Sequence, residues 1–248
     1  MNIAIIPARC GSKRIPKKNI KEFCGKPLIA YSIETALNSK LFEKVLVSTD
    51  SDEIATVAKH YGAEAQMRPV QLADDFTNTG EVIDYVLQTL EKQGELYEYV
   101  CTIYATAPFL QEKYLEDGFV KLQNSDAINA FSVTSMPFPI QRTFKITKDE
   151  RCEMFDKSNF YKRSQDLEEA YQDAGQFYWS KRNCESKDVF FGKDSIPVVL
   201  PRHLVQDIDT MEDFTRAELM YKVIKNENVN CFNANNKDKN IKGCRNGY

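Results

Sequence analysis

The sequence predicts an α/β domain built on a mainly parallel central sheet with helices on both faces. Three observations carry that reading. Short, continuous apolar runs recur at 2–7, 44–49 and 99–104, and runs of that kind without polar alternation suit strands buried on both sides. The segments between them place apolar residues at helical spacing. A length of 248 residues fits one large domain, or one domain with a lobe.

Taken in order, Asn2 to Pro7 is a buried strand ended by proline. After a long loop, Leu28 to Ser39 sets Ile29, Ile33, Ala36 and Leu37 on one helical face. Lys44 to Thr49 is a second buried strand. Asp50 is placed to cap the next helix, with Glu53 three positions on and Ile54, Ala58 and Tyr61 as its buried stripe. A short strand precedes Arg68-Pro69. Helices at 80–93 and 112–124 flank the strand at 99–104.

The pattern changes after about residue 127. Strand-like pieces at 128–134, 142–147, 176–179, 188–191 and 197–200 are separated by long polar stretches. Residues 137–171, opening with Pro137 and Pro139, form an excursion from the α/β body that could pack on a second subunit. A last helix, Met211 to Lys225, carries Phe214, Ala217, Leu219 and Tyr221. The organisation expected is therefore one domain over 1–225 and a tail at 226–248. Eight of the tail's 23 residues are asparagine, a composition that predicts mobility. No internal repeat is visible.

Composition excludes several classes. The net charge of −3 gives no general affinity for nucleic acid or anionic membrane, and no apolar run approaches the ~20 residues of a membrane span. Seven widely spaced cysteines without a C-x-x-C fit free thiols in a reducing compartment, so a cytoplasmic location is expected. His60 and His203 are the only histidines, a poor basis for a His-rich zinc site or a Ser-His-Asp hydrolase.

The loop after the first strand carries the strongest chemical signal. From Arg9 to Lys26 there are seven basic residues against the single acid Glu22, a concentrated anion site in an otherwise acidic chain. Gly11 and Ser12 permit close backbone approach and open N–H groups. The position is right as well, because open α/β sheets bind ligands beyond the carboxyl ends of their strands. The spacing is neither a G-x-x-x-x-G-K-[ST] loop nor a G-x-G-x-x-G turn. A solvated basic surface is the competing reading.

Farther along, Val205-Gln206-Asp207-Ile208-Asp209-Thr210 places two carboxylates at i and i+2. In a strand they share a side and could hold one Mg2+, a hard cation that keeps waters and bridges to phosphate. Alternatively, Asp209 or Thr210 caps the helix from Met211. Arg68 is either a ligand contact or a basic strand end. Tyr104 to Pro108 ends an apolar strand. In Gly175-Gln176-Phe177-Tyr178-Trp179, Phe177 suits the core and Gln176 is the odd polar residue.

The segments P-A-R-C-G-S-K-R-I-P-K-K-N-I (7–20), F-C-G-K-P-L-I-A-Y-S-I (23–33), V-S-T-D (47–50), R-P-x-x-L-A-D-D (68–75) and Q-D-I-D-T (206–210) closely resemble, in order and approximate spacing, the signatures of the CMP-sialic acid synthetases, or acylneuraminate cytidylyltransferases. The resemblance spans roughly residues 1–225. Y-A-T-A-P-F (104–109), F-S-V-T-S-M-P-F-P-I-Q-R (131–142) and residues 163–179 look like the branch of that family that activates pseudaminic acid for bacterial surface or flagellar glycans. Two departures stand out: Cys10 occupies a usual glycine position, and Leu110 replaces an arginine of the neuraminic acid enzymes. The second argues against neuraminic acid as substrate.

The resemblance implies a Rossmann-like nucleotidyltransferase that joins CTP to a nonulosonic acid and releases pyrophosphate. Ala8, Arg9, Gly11, Ser12, Lys13, Lys18 and Asn19 would hold the CTP phosphates and ribose, and Arg68 and Thr79 the cytosine. Asp207 and Asp209 would hold Mg2+. Arg9, Lys13, Lys18 and Asp209 would carry the catalytic charge. Tyr104, Thr106, Gln176, Phe177 and Tyr178 would shape the sugar pocket, with Gln141, Arg142, Arg163 and Gln165 added from the excursion. The excursion would reach a neighbouring subunit, giving a homodimer. Competing readings are the same chemistry on legionaminic or another nonulosonic acid, a D-x-D glycosyltransferase, and a silent nucleotide-binding regulator.

Overall fold

The computed structural model describes residues 1–73, 77–182 and 190–227. Its centre is a seven-stranded sheet. We number the strands β1 (Asn2–Pro7), β2 (Lys44–Thr49), β3 (Glu64–Met67), β4 (Tyr99–Ile103), β5 (Asn129–Ser135), β6 (Tyr171–Lys181) and β7 (Ser195–Leu200). The helices are α1 (Leu28–Ser39), α2 (Asp52–His60), α3 (Thr79–Lys92), α4 (Glu112–Gln123) and α5 (Met211–Glu227). Strand order is β7-β5-β6-β4-β1-β2-β3. All pairings are parallel except those of β6, which runs antiparallel to β4 and β5.

The apolar runs form the buried middle. Ala4, Ile6, Val45 and Val47 face one side and pack with Ile29 and Ile33 of α1 and Ile54 and Ala58 of α2. Ile3, Ile5 and Leu46 face the other side and pack with Val86, Leu87 and Leu90 of α3. That alternation is why both faces need helices. On the first face Trp179 lies between the rings of Phe42 and Phe119, at centroid distances of 5.1 and 5.0 Å, and donates its indole N–H to the Leu115 carbonyl oxygen. Helix α4 approaches closely at Gly118, where a Cβ would lie 3.1 Å from both Phe177 and Trp179. Helix α5 sits on a separate cluster with Ile15, Phe23, Leu28 and Tyr31.

Several sequence expectations are refined. Ser51, not Asp50, caps α2: its hydroxyl oxygen accepts from the Ile54 N–H. In α5, Phe214 and Ala217 are buried but Leu219 is exposed. The D-x-D segment is irregular backbone rather than a strand. The strand expected at 176–179 is the end of the longer β6, whose register with β5 shifts between Asp173 and Tyr178. The strand expected at 142–147 is Phe144–Ile146, in a small antiparallel pair with Cys152–Met154. The strand expected at 188–191 falls partly outside the described residues, as do Asp74 and Asp75 of the 68–75 motif and nearly all of the Asn-rich tail. Among the described residues no helix is long and apolar enough to cross a membrane.

Candidate active site

The basic loop is held in shape by contacts that use no ligand. Ala8 N–H donates to the Ser48 carbonyl and Cys10 N–H to Asp50 Oδ1, at 2.9 and 2.8 Å. Asn19 Nδ2 donates to the Arg9 carbonyl at 2.9 Å. Ile15 is fully buried and pins the loop to the α5 cluster. Lys17 adopts a left-handed conformation (φ 53°) and its ammonium pairs with Glu53 at 2.7 Å. Lys26 pairs with Glu34 and lies over the Tyr31 ring, and Lys21 lies near Phe214. The loop's charges are thus sorted: these three serve the fold, while Arg9, Lys13, Arg14 and Lys18 line one cleft.

That cleft has a volume of about 600 Å³ and lies at the carboxyl ends of β1 and β4, where Pro7 and Tyr104 line it. Ser12, Asn19, Arg68, Thr79, Thr106 and Asp209 also face it. Ten residues expected at the site from the sequence therefore meet in one place. Ala8 is buried behind the loop. Gly11 has an ordinary backbone conformation with open space at its Cβ position, so only a closely approaching ligand would require glycine there. Arg68 is 7% exposed and its Nε has no hydrogen-bond partner. Burial lowers its pKa, with Asp50 opposing that shift and Arg9 adding to it. A buried cation with an unfilled donor at the cleft wall is built to meet an acceptor.

The start of α5 is capped by Thr210, one of the two residues the sequence offers for that role. Thr210 Oγ1 accepts from the Asp213 N–H, and Asp213 Oδ2 accepts from the Thr210 N–H and hydroxyl, a reciprocal cap. Those bonds hold Asp213 below the usual carboxylate range. The Asp209 side chain is left to the cleft, where Oδ1 lies 2.8 Å from Arg14 Nη2 and 3.5 Å from Lys18 Nζ. Lys18 Nζ also donates to the Ile208 carbonyl, and Ile208 is buried between the two aspartates. Burial and then the neighbouring Asp209 charge raise the pKa of Asp207, against the pull of Lys18. Asp207 does not line the cleft itself. Among the described residues there is no group of three or more His, Cys, Asp or Glu able to hold a metal. A cation here would draw its other ligands from water and phosphate, as Mg2+ does.

A second cavity of about 500 Å³ adjoins the first and shares Thr79 and Tyr104 with it. Ile83, Leu87, Phe190 and Phe191 give it apolar walls, and Tyr178 lines it too. The Tyr178 hydroxyl donates to Asp173 Oδ2 at 2.7 Å, and the other Asp173 oxygen accepts from the Gly175 N–H at 2.8 Å. Gly175 has φ 62°, which suits glycine at this bulge. Burial pushes the Tyr178 phenol far above its usual range. Ser32 Oγ donates to the Tyr104 carbonyl at 2.7 Å and fixes the end of β4.

Not every expected sugar contact arrives. Phe177 is core, under α4. Gln176 is buried, lines neither cavity, and donates Nε2 to the Leu204 carbonyl, tying β6 to the chain that leads into Asp207. Gln141, Arg142, Arg163 and Gln165 line neither cavity of their own chain. Arg163 instead pairs with Asp166 through Nε at 2.7 Å, and Gln141 donates to the Glu168 carbonyl. Leu110, at the departed arginine position, is buried. The sequence gives no site role to three polar residues in or beside the cavities: Arg14 is one of a basic run, Asp50 reads as a helix cap, and Asp173 depends on a bulge that no sequence pattern announces.

A basic cleft at the carboxyl edge of a mainly parallel sheet, with Asp209 at its wall just before the last helix, is the arrangement of a nucleotidyltransferase. The fold agrees: a CMP:2-keto-3-deoxy-manno-octonic acid synthetase solved with CTP superposes with a TM-score of 0.65 at 16% identity, covering 90% of this chain and 99% of that one. A profile of the cytidylyltransferase family matches residues 3–228, and the chain belongs to that family of CTP-dependent enzymes. A pseudaminic acid cytidylyltransferase of Campylobacter jejuni subsp. jejuni (strain 81-176) is 44% identical over 224 residues, 90% of this chain and 97% of that protein. An N-acylneuraminate cytidylyltransferase of Escherichia coli O18:K1:H7 is 32% identical over 87% of this chain and 51% of its own length.

Proposed function

We propose that the chain transfers CMP from CTP to pseudaminic acid, with release of pyrophosphate. The observation that carries this is the convergence of Arg9, Lys13, Lys18 and Asp209 on one cleft that opens, at Tyr104, into a second cavity with apolar walls. The 44% identical relative supplies the sugar. In the reaction, the anomeric hydroxyl oxygen of the sugar acid forms a bond to the α-phosphorus as the bond from that phosphorus to the oxygen bridging to the β-phosphorus breaks, pyrophosphate leaving with that oxygen and the hydroxyl proton passing to water. The chemistry asks mainly for alignment and charge neutralisation. Arg9, Lys13 and Lys18 neutralise the triphosphate and the departing pyrophosphate. Arg68 and Thr79 hold the cytosine, and Ser12 and Asn19 support the ribose and phosphates. Mg2+ held by Asp207 and Asp209 would polarise the α-phosphate and acidify the attacking hydroxyl. Tyr104, Thr106 and Tyr178 orient the sugar at the join.

The working form is a homodimer. Phe144, Ile146, Phe155, Phe160 and Tyr161 of the excursion are exposed in the single chain, an apolar surface that a second copy would cover. Gln141, Arg142, Arg163 and Gln165 then serve the neighbour's sugar cavity. The enzyme acts in the cytoplasm and feeds bacterial surface or flagellar glycan synthesis. A second reading, legionaminic acid as acceptor, is favoured by a CMP-N,N'-diacetyllegionaminic acid synthase of Legionella pneumophila, 44% identical over 111 residues. The test is incubation with CTP, Mg2+ and, separately, pseudaminic, legionaminic and N-acetylneuraminic acids, reading pyrophosphate and CMP-sugar mass. Turnover confined to pseudaminic acid is expected. Turnover only with another acid would overturn the sugar, and none with any acid would overturn the reaction.

A further inference from the structure

We propose that Arg14 acts as a counter-ion for Asp209 that keeps a free divalent cation off the site and yields the carboxylate when a metal–triphosphate complex arrives, so that cation and nucleotide enter together. The inference rests on the reading of Asp207 and Asp209 as metal carboxylates and of CTP as the nucleotide.

The geometry supplies the block. Arg14 Nη2 and Lys18 Nζ lie 2.8 and 3.5 Å from the same oxygen, Asp209 Oδ1. A bare dication approaching that oxygen meets two positive groups already in place. The chain cannot outbid them with further ligands, because among the described residues it offers no third metal-binding side chain beside the pair. A metal on a triphosphate differs in two ways. It carries net negative charge, so the cleft's cations attract it rather than repel it. It also presents several phosphate oxygens, to which a guanidinium fork binds better than to one carboxylate oxygen.

The two cations are not equivalent. The Lys18 side chain is 18% exposed and is anchored to the Ile208 carbonyl as well. The Arg14 side chain is 65% exposed, and Asp209 is 38% exposed. An ion pair that open to water is weak, as a contact that must exchange has to be. Lys18 is therefore the fixed cation and Arg14 the one that moves. By linkage, a nucleotide that draws Arg14 away must tighten the metal, and the metal must tighten the nucleotide.

The test uses Mn2+ as the probe in equilibrium dialysis of the full chain at low salt, with and without CTP, for the wild type, Arg14→Gln and Arg14→Lys. Without CTP, Arg14→Gln should retain Mn2+ about three- to fivefold more tightly, the factor expected for losing an exposed ion pair. With CTP the order should invert, Arg14→Gln binding Mn2+ more weakly because the triphosphate has lost a partner. Arg14→Lys should keep the wild-type order in both conditions, and Asp209→Asn should abolish the retained metal. Equal Mn2+ affinity of wild type and Arg14→Gln without CTP, or no inversion with it, overturns the role of Arg14 and leaves the metal reading intact. Failure of the wild type to retain Mn2+ even with CTP overturns both.

Discussion

The nucleotide cleft and the 137–171 excursion treat their apolar residues in opposite ways. Around the cleft, Ile6, Ile15, Ile103 and Ile208 are all buried and the charged side chains face the opening. In the excursion the order is reversed: all three residues of the Phe144–Ile146 strand are exposed, Phe160 is 56% exposed and Tyr161 is 93% exposed. One region is complete within a single chain, and the other displays the surface that core formation normally removes. On the proposed reading, the first region suffices for nucleotide binding and the second awaits a second copy of the chain.

Substitutions can sharpen or break that contrast. The largest effect is expected at Asp209: Asp209→Asn should lower kcat by about 10²–10³ at saturating Mg2+, the usual loss for one preorganised electrostatic group, with the mass in solution unchanged. Next, Trp179→Ala should cost ~3–5 kcal/mol in denaturant unfolding, since it removes a large, fully buried ring. By contrast, replacing Phe144 and Phe160 together with serine should halve the mass seen by light scattering while leaving CTP affinity intact; retention of the dimer would break the comparison. Arg163→Ala should raise the sugar KM about tenfold, the loss of one charge-assisted contact, without changing that for CTP. The smallest effect lies at the opposite edge of the sheet, where the Lys44 ammonium and then the Tyr97 hydroxyl hold Glu95 below the usual carboxylate range. A depressed carboxylate contributes stability at neutral pH that fades as the pH falls through its folded value. Glu95→Gln should therefore lower Tm slightly at pH 7, with the difference fading only as the pH falls below the usual carboxylate range.

Much of this was legible in the sequence because burial imposes a period. The runs at 2–7, 44–49 and 99–104 read as inner strands, which puts the loop after the first at the carboxyl edge of the sheet. What stayed hidden depends on contacts distant in sequence. Lys17 and Lys18 are identical neighbours, yet one pairs with Glu53 and the other lies beside Asp209, a division set by a left-handed turn. Asp50 and Ser51 are both good caps, and only the loop's need for a partner at Cys10 assigns Ser51 to the helix. Gln176 reads as a pocket residue, and Phe177 does so only by the family resemblance, until the irregular register after Asp173 sets both in the body of the protein.

In the proposed dimer each site combines one chain's cleft with the other chain's excursion. The most direct test of that arrangement mixes, after unfolding and refolding together, Lys18→Ala chains with Arg163→Ala chains, each impaired alone at a fixed subsaturating sugar concentration. In a mixed dimer one site regains an intact cleft and an intact excursion, so turnover should recover to roughly a quarter of the wild-type level by random pairing. Activity no higher than the mean of the two separate variants would contradict the account and return the excursion to its own chain.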